Sequence, residues 1–169
     1  MGSDDLFKKR REERKRRKHA YRPVNTNSFL IVTEGERTEL LYFRGIQKKI
    51  KEKMDGRIDV IDIYGEGCGT GKLIEVTERI VKEAKILYQN VWVVFDKDDF
   101  DDFDEAICLG KEKGYQIAWS NQSFEYWLYL HFNYSDSALH RYDWNKKLSE
   151  IFKQYNLGEG TYRKNYGKW

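Results

Sequence analysis

Residues 91–100 read VWVVFDKDDF, and this stretch decides the fold. Val91 to Phe95 is the most apolar run in the chain, short enough for a strand and too continuous for one exposed on either face. It breaks off into Asp96-Lys97-Asp98-Asp99, four charged residues in a row. Working outward, the same grammar recurs. Phe29-Leu30-Ile31-Val32 is a second buried strand, followed by Thr33-Glu34-Gly35-Glu36-Arg37-Thr38-Glu39. Ile58 to Tyr64 (IDVIDIY) alternates as a half-buried strand and runs into a Gly cluster. Tyr115 to Trp119 (YQIAW) is a fourth strand, followed by Ser120-Asn121-Gln122-Ser123-Phe124-Glu125.

Helical spacing fills the intervals. Leu40, Leu41, Phe43, Ile46 and Ile50 share a face across Glu39–Lys53, as do Leu73, Ile74, Val76, Ile80, Val81, Ala84 and Leu87. Further helices are expected near Asp102–Glu112, over Phe124–Phe132 and over Trp144–Tyr155. Strands alternating with helices predict an α/β domain with a parallel or mostly parallel sheet flanked by helices. In such sheets ligands bind beyond the carboxyl ends of the strands. Chemistry is therefore expected just after Val32, Tyr64, Phe95 and Trp119.

Those positions are rich in carboxylates: Glu34, Asp96 and Asp98, with Glu39, Asp99 and Glu125 nearby. Clustered carboxylates repel and raise one another's pKa unless a cation offsets them. Hard divalent cations with oxygen ligands do so, and Mg²⁺ commonly takes one or two carboxylates plus substrate phosphates. Two apart in a continuing strand, Asp96 and Asp98 would face the same way. Taken singly, each acid reads more readily as a helix cap or a first-turn charge.

Other motifs are weaker. Gly65-Glu66-Gly67-Cys68-Gly69-Thr70-Gly71-Lys72 is not a P-loop: Glu66 stands where its first Gly belongs, and Leu73 follows the Lys. It reads as a strand-to-helix loop with Thr70 at the N-cap, its backbone N–H groups free to touch a phosphate. His131, in Leu-Tyr-Leu-His-Phe, reads as a packed residue more readily than a catalyst. Ser120 and Ser123 have no triad signature around them.

Composition sets the frame. The 169 residues suit one domain. They are 40% hydrophobic and 35% charged, with 5 Trp, 12 Tyr, 9 Phe and a single Pro, which excludes collagen-like chains and argues against wholesale disorder. No apolar run of membrane-spanning length and no signal peptide occurs, and Cys68 and Cys108 form no ligand spacing. A reduced, cytoplasmic home without membrane contact is expected. The net charge of +3 is uneven: residues 1–24 carry 10 Lys/Arg against 4 Asp/Glu (+6), and residues 25–169 carry 21 against 24 (−3). A basic arm, residues 1–27, thus precedes an acidic body, residues 28–169. Lys8, Lys9, Arg10, Arg11, Arg14, Arg16 and Arg17 of the arm suit contacts to nucleic-acid phosphates, or equally a solubilising or partner-docking tail. The ending GTYRKNYGKW has no cap or closing element, as expected either of a domain continuing beyond it or of a short native terminus.

Three blocks in order, LIVTEGERTELLYF (30–43), VWVVFDKDDF (91–100) and SNQSFEYWLYLHF (120–132), resemble the RloB-like proteins, which are linked to restriction loci and abortive-infection defence against phage. That family resembles a divergent branch of the Toprim superfamily, with a compact α/β fold. The resemblance implies that Glu34 takes the Toprim glutamate place and that Asp96 and Asp98 take the Asp-x-Asp place. Glu39 and Glu125 match further acidic positions suited to a second metal. Lys164 matches a closing basic position able to steady a phosphate in the transition state. It implies an Mg²⁺- or Mn²⁺-dependent nuclease acting on DNA or RNA, tRNA included, with an ATPase partner from the same locus. The alternative is a non-catalytic Toprim-like scaffold that binds nucleic acid or the ATPase. Exposed aromatics would suit self-association into a homo-oligomer.

Overall fold

The computed structural model describes residues 28–53, 60–97 and 102–164. Four strands form one sheet: β1 (Ser28–Thr33), β2 (Val60–Gly65), β3 (Asn90–Lys97) and β4 (Gln116–Asn121), in the order β2-β1-β3-β4 with every pair parallel. Parallel neighbours need crossover connections. Helices α1 (Thr38–Lys53), α2 (Thr70–Glu83) and α3 (Phe103–Glu112) lie in those crossovers, while α4 (Phe124–Leu130) and α5 (Arg141–Gln154) follow the last strand. This is the α/β architecture that the periodicity and the family resemblance predict. The start of the second strand, expected at Ile58, lies outside the described residues.

Apolar content sorts the strands. β1 and β3 are central, and Leu30, Val32, Val93, Val94 and Phe95 are all buried. The edge strands β2 and β4 are mostly half-exposed, as their mixed sequences require. On one face Leu30, Val32, Val91, Val93 and Phe95 pack against Leu73 and Ile74 of α2 and Phe103 and Ala106 of α3. On the other, Val94 packs with Phe124, Leu128, Leu148, Phe152 and Tyr162. That second face is incompletely covered: an apolar cavity of about 430 Å³ opens between α1 and α4 over Trp92, Val94 and Ala118. No described helix is long and apolar enough to cross a membrane.

Three local expectations change. Gly69, not Thr70, takes the N-cap of α2, and Thr70 is a buried first-turn residue. The oxygen a capping side chain would supply comes instead from Asp102, whose Oδ2 accepts the Gly71 N–H at 3.0 Å. The helix also stops at Glu83, short of Leu87, because Ala84 turns extended (ψ 146°). The loop that follows is tied by Ser28, whose hydroxyl donates to Leu87 O (2.9 Å) and accepts from Gln89 N–H (3.0 Å). His131 is exposed at the C-terminus of α4, stacked on Tyr42, with its Nε2 2.9 Å from the Tyr42 hydroxyl.

Candidate functional site

The parallel sheet delivers the first residue after β1 to the penultimate residue of β3. Glu34 follows Thr33, and its backbone N–H donates to Val94 O at 2.9 Å. Its carbonyl accepts from Gly67 N–H at 2.9 Å, and Glu66 N–H donates to Thr33 O at 3.1 Å. The loop after β1 is thus stitched to β3 on one side and to the Gly cluster after β2 on the other. The Glu34 side chain bends back, and its Oε2 accepts the backbone N–H of Asp96 at 3.2 Å. Asp96 pairs in register with Ser120 and alternates onto the same sheet face as Trp92 and Val94. Asp98 and Asp99 lie outside the described residues, as do Lys8, Lys9, Arg10, Arg11, Arg14, Arg16 and Arg17 of the arm.

The approach of the two loops depends on Gly65. A Cβ there would stand 2.8 Å from Gly35 O and 3.0 Å from Glu36 Cα, both backbone atoms. Beside this contact Glu34, Gly35, Glu36, Arg37, Thr38, Glu39, Gly67 and Lys164 line a cavity of about 350 Å³. Glu39 sits in the first turn of α1. Burial raises its carboxyl above the ordinary value; a backbone hydrogen bond opposes that, the charge of Glu125 adds to it, and Lys164 offsets it slightly.

Glu125, in the first turn of α4, is 3% exposed. Its Oε1 accepts the Tyr162 hydroxyl at 2.8 Å. Burial, then the charge of Glu125 and this hydrogen bond, push the Tyr162 phenol far up, so it remains a donor. Glu125 is absent from the walls of the acidic cavity, whereas Lys164, two residues beyond Tyr162, lines it.

The sequence-predicted residues therefore fall into two linked groups. Glu34 meets Asp96 through the sheet. Glu39, Glu125 and Lys164 interact through α1, α4 and the chain after α5. Sequence reasoning missed Arg37 and Tyr162. Arg37 is a lone cation amid three acids in Glu34–Glu39, and Tyr162 is the one aromatic residue between Leu157 and Lys164. Those were the available signals. The Gly cluster, read as free to touch a phosphate, instead gives the Gly71 N–H to a protein carboxylate and the Gly67 N–H to Glu34.

Among the described residues no three His, Cys, Asp or Glu side chains stand together as a complete cation site. Glu34 and Asp96 bring two carboxylate-bearing residues to one strand end through the Asp96 backbone N–H, and oxygen-only chemistry of that kind is what a hard cation with water or phosphate on its remaining positions would require.

The family model for RloB-like proteins matches residues 29–168. Comparison with curated proteins and with solved structures returned no match. The chain belongs to the RloB-like family.

Proposed function

We propose that this member of the RloB-like family is a nuclease that hydrolyses phosphodiester bonds with Mg²⁺ or Mn²⁺, and that it acts as an effector of abortive-infection defence. The observation that carries the reading is the meeting of Glu34 with Asp96 at the carboxyl end of the two central strands. Two carboxylates at one strand end suit a cation-assisted phosphate site. Glu34 and Asp96 would hold the cation from the protein side, with Asp98, two residues on in sequence, as a third candidate ligand. A bound cation supplies charge neutralisation at the phosphate.

The chain's own residues do the rest. Lys164 and Arg37, on the wall of the same cavity, place positive charge where a phosphoryl oxygen becomes more negative. Glu36 and Glu39 add two carboxyls beside Glu34 on that wall. The basic arm holds the nucleic-acid backbone and gives the binding its salt dependence. An ATPase partner supplies any energy-using step, because the one Gly-rich loop is not a nucleotide-binding P-loop.

Asp96→Asn is the direct test, since the Asp96 backbone N–H that binds Glu34 survives the change. Calorimetric titration of Mg²⁺ and Mn²⁺ is run on wild type and variant, with plasmid DNA and bulk tRNA as cleavage substrates. Cleavage by wild type in Mg²⁺ or Mn²⁺, a loss of 100-fold or more in a folded Asp96→Asn protein, and loss of cation binding are expected. Nucleic-acid binding that is unchanged in EDTA, with no cleavage of either substrate, would establish the scaffold reading instead.

A further inference from the structure

After α5 the chain reverses through Asn156, Gly158 and Gly160, all at positive φ. Leu157 N–H returns to Phe152 O at 2.8 Å, and Gly160 N–H to Leu157 O at 3.0 Å. Among residues 161–164 one is buried in the domain. Tyr162 is 6% exposed, its ring packs edge-on against Phe152 at 5.7 Å, and its N–H donates to Ser149 Oγ at 3.3 Å. Its hydroxyl crosses from the tail to α4 and binds Glu125. The residues on either side are unlike it: Thr161, Arg163 and Lys164 are exposed. Arg163 has only an exposed pair with Glu159 at 3.5 Å. Among the described residues, then, the buried fastening of this segment is Tyr162, and Lys164 is the cation the fastening delivers to the acidic cavity.

We propose that Tyr162 is a positioning residue and that Glu125 is its hydrogen-bond acceptor rather than a metal ligand, the pair forming a latch that holds Lys164 over the Glu34–Glu39 cavity. The consequence for catalysis rests on the nuclease reading; the latch itself does not. A buried carboxylate accepting a phenol hydrogen bond is a strong, directional tie. It explains why a charged residue is tolerated at 3% exposure outside the cavity wall.

Two arms of one experiment separate the latch from the chemistry. Amide hydrogen exchange over residues 160–164 reads the latch without any substrate. Tyr162→Phe keeps the ring and removes the hydroxyl, and exchange there should rise at least tenfold. Glu125→Gln keeps an oxygen acceptor but loses its charge, so exchange should rise by less than in Tyr162→Phe. Cleavage then reads the consequence. Lys164→Met should lower kcat at least tenfold, Tyr162→Phe should do likewise, and the double variant should be no worse than the poorer single one. General destabilisation would instead multiply the two defects. Glu125→Gln should lower kcat by less than Tyr162→Phe does, in step with its smaller rise in exchange. Circular dichroism confirms that each variant is folded.

Unchanged exchange in Tyr162→Phe overturns the latch. A Glu125→Gln protein with native exchange but lost cleavage overturns the reassignment and makes Glu125 a ligand. A wild type with no cleavage refutes the nuclease reading alone, and the exchange arm still decides the latch.

Discussion

Replacing Gly65 by Ala perturbs the narrowest backbone approach at the site. Gly65 ends β2 opposite Thr33, and a Cβ there meets Gly35 O at 2.8 Å and Glu36 Cα at 3.0 Å. Neither atom can swing aside as a side-chain tip would, so the loop after β1 must move. Overpacking of this kind costs about 1–3 kcal/mol. The Ala side chain also restricts the unfolded chain, which returns about 0.4–1 kcal/mol. The steric term wins, and a net loss of roughly 0.5–2 kcal/mol, or a fall of roughly 1–8 °C in Tm for a chain of this size, is expected. Gly45→Ala is the matched control, because a Cβ at that position of α1 meets nothing within 4 Å. There the same chemical change should raise stability by about 0.5–1 kcal/mol. Urea melts of both variants beside wild type measure the difference. A Gly65→Ala protein as stable as Gly45→Ala would refute the claim that the two loops touch through Gly65.

Two further outcomes follow from the same geometry. Leu148 is 0% exposed among Val94, Phe124, Leu128, Phe152 and Tyr162, so Leu148→Ala should cost about 2–5 kcal/mol with an unchanged denaturant slope in urea melts. Hydrogen bonds from Lys113 and Lys82 hold Glu78 down to about 2, so its contribution to stability is present above the ordinary carboxylate value and is lost as pH falls through 4.5 towards 2; melts of wild type and Glu78→Gln should therefore differ at pH 7 and converge near pH 2.

The sheet was legible because burial on two faces leaves a plain mark. Leu30-Ile31-Val32 and Val91 to Phe95 have almost no polar interruption, and both became central strands. The half-buried character of β2 was legible for the converse reason, as polar residues alternate through Ile58 to Tyr64. What failed locally failed where a partner comes from far along the chain. Thr70 has the composition of an N-cap, but Asp102 reaches the first turn of α2 from 31 residues away and the cap shifts to Gly69. His131 shares a segment with buried Phe124 and Leu128, yet it falls where α4 ends and the chain turns outward. No periodicity argument contains either fact.

The two halves of the site differ in the same way, and this bears on how the site behaves. Glu34 and Asp96 are 62 residues apart in sequence, but their meeting follows from the register of two strands that must both be central. Shifting that register by one residue would move Leu30 and Val32, or Val93 and Phe95, from the α2–α3 core to the incompletely covered face, so the core itself enforces the contact. Lys164 has no such guarantor. Its position depends on Tyr162, through its ring, its backbone bond to Ser149 and its phenol bond to a residue 37 positions away, and on the glycines that close the turn. Local opening follows the number of buried contacts broken, so the tail should open far more often than the sheet. On the nuclease reading, Glu34 and Asp96 would be the permanent part of the site and Lys164 its conditional part. A phosphate-handling site built this way would lose its positive wall while remaining folded, which is why exchange at residues 160–164, and not global stability, is the quantity to set beside activity.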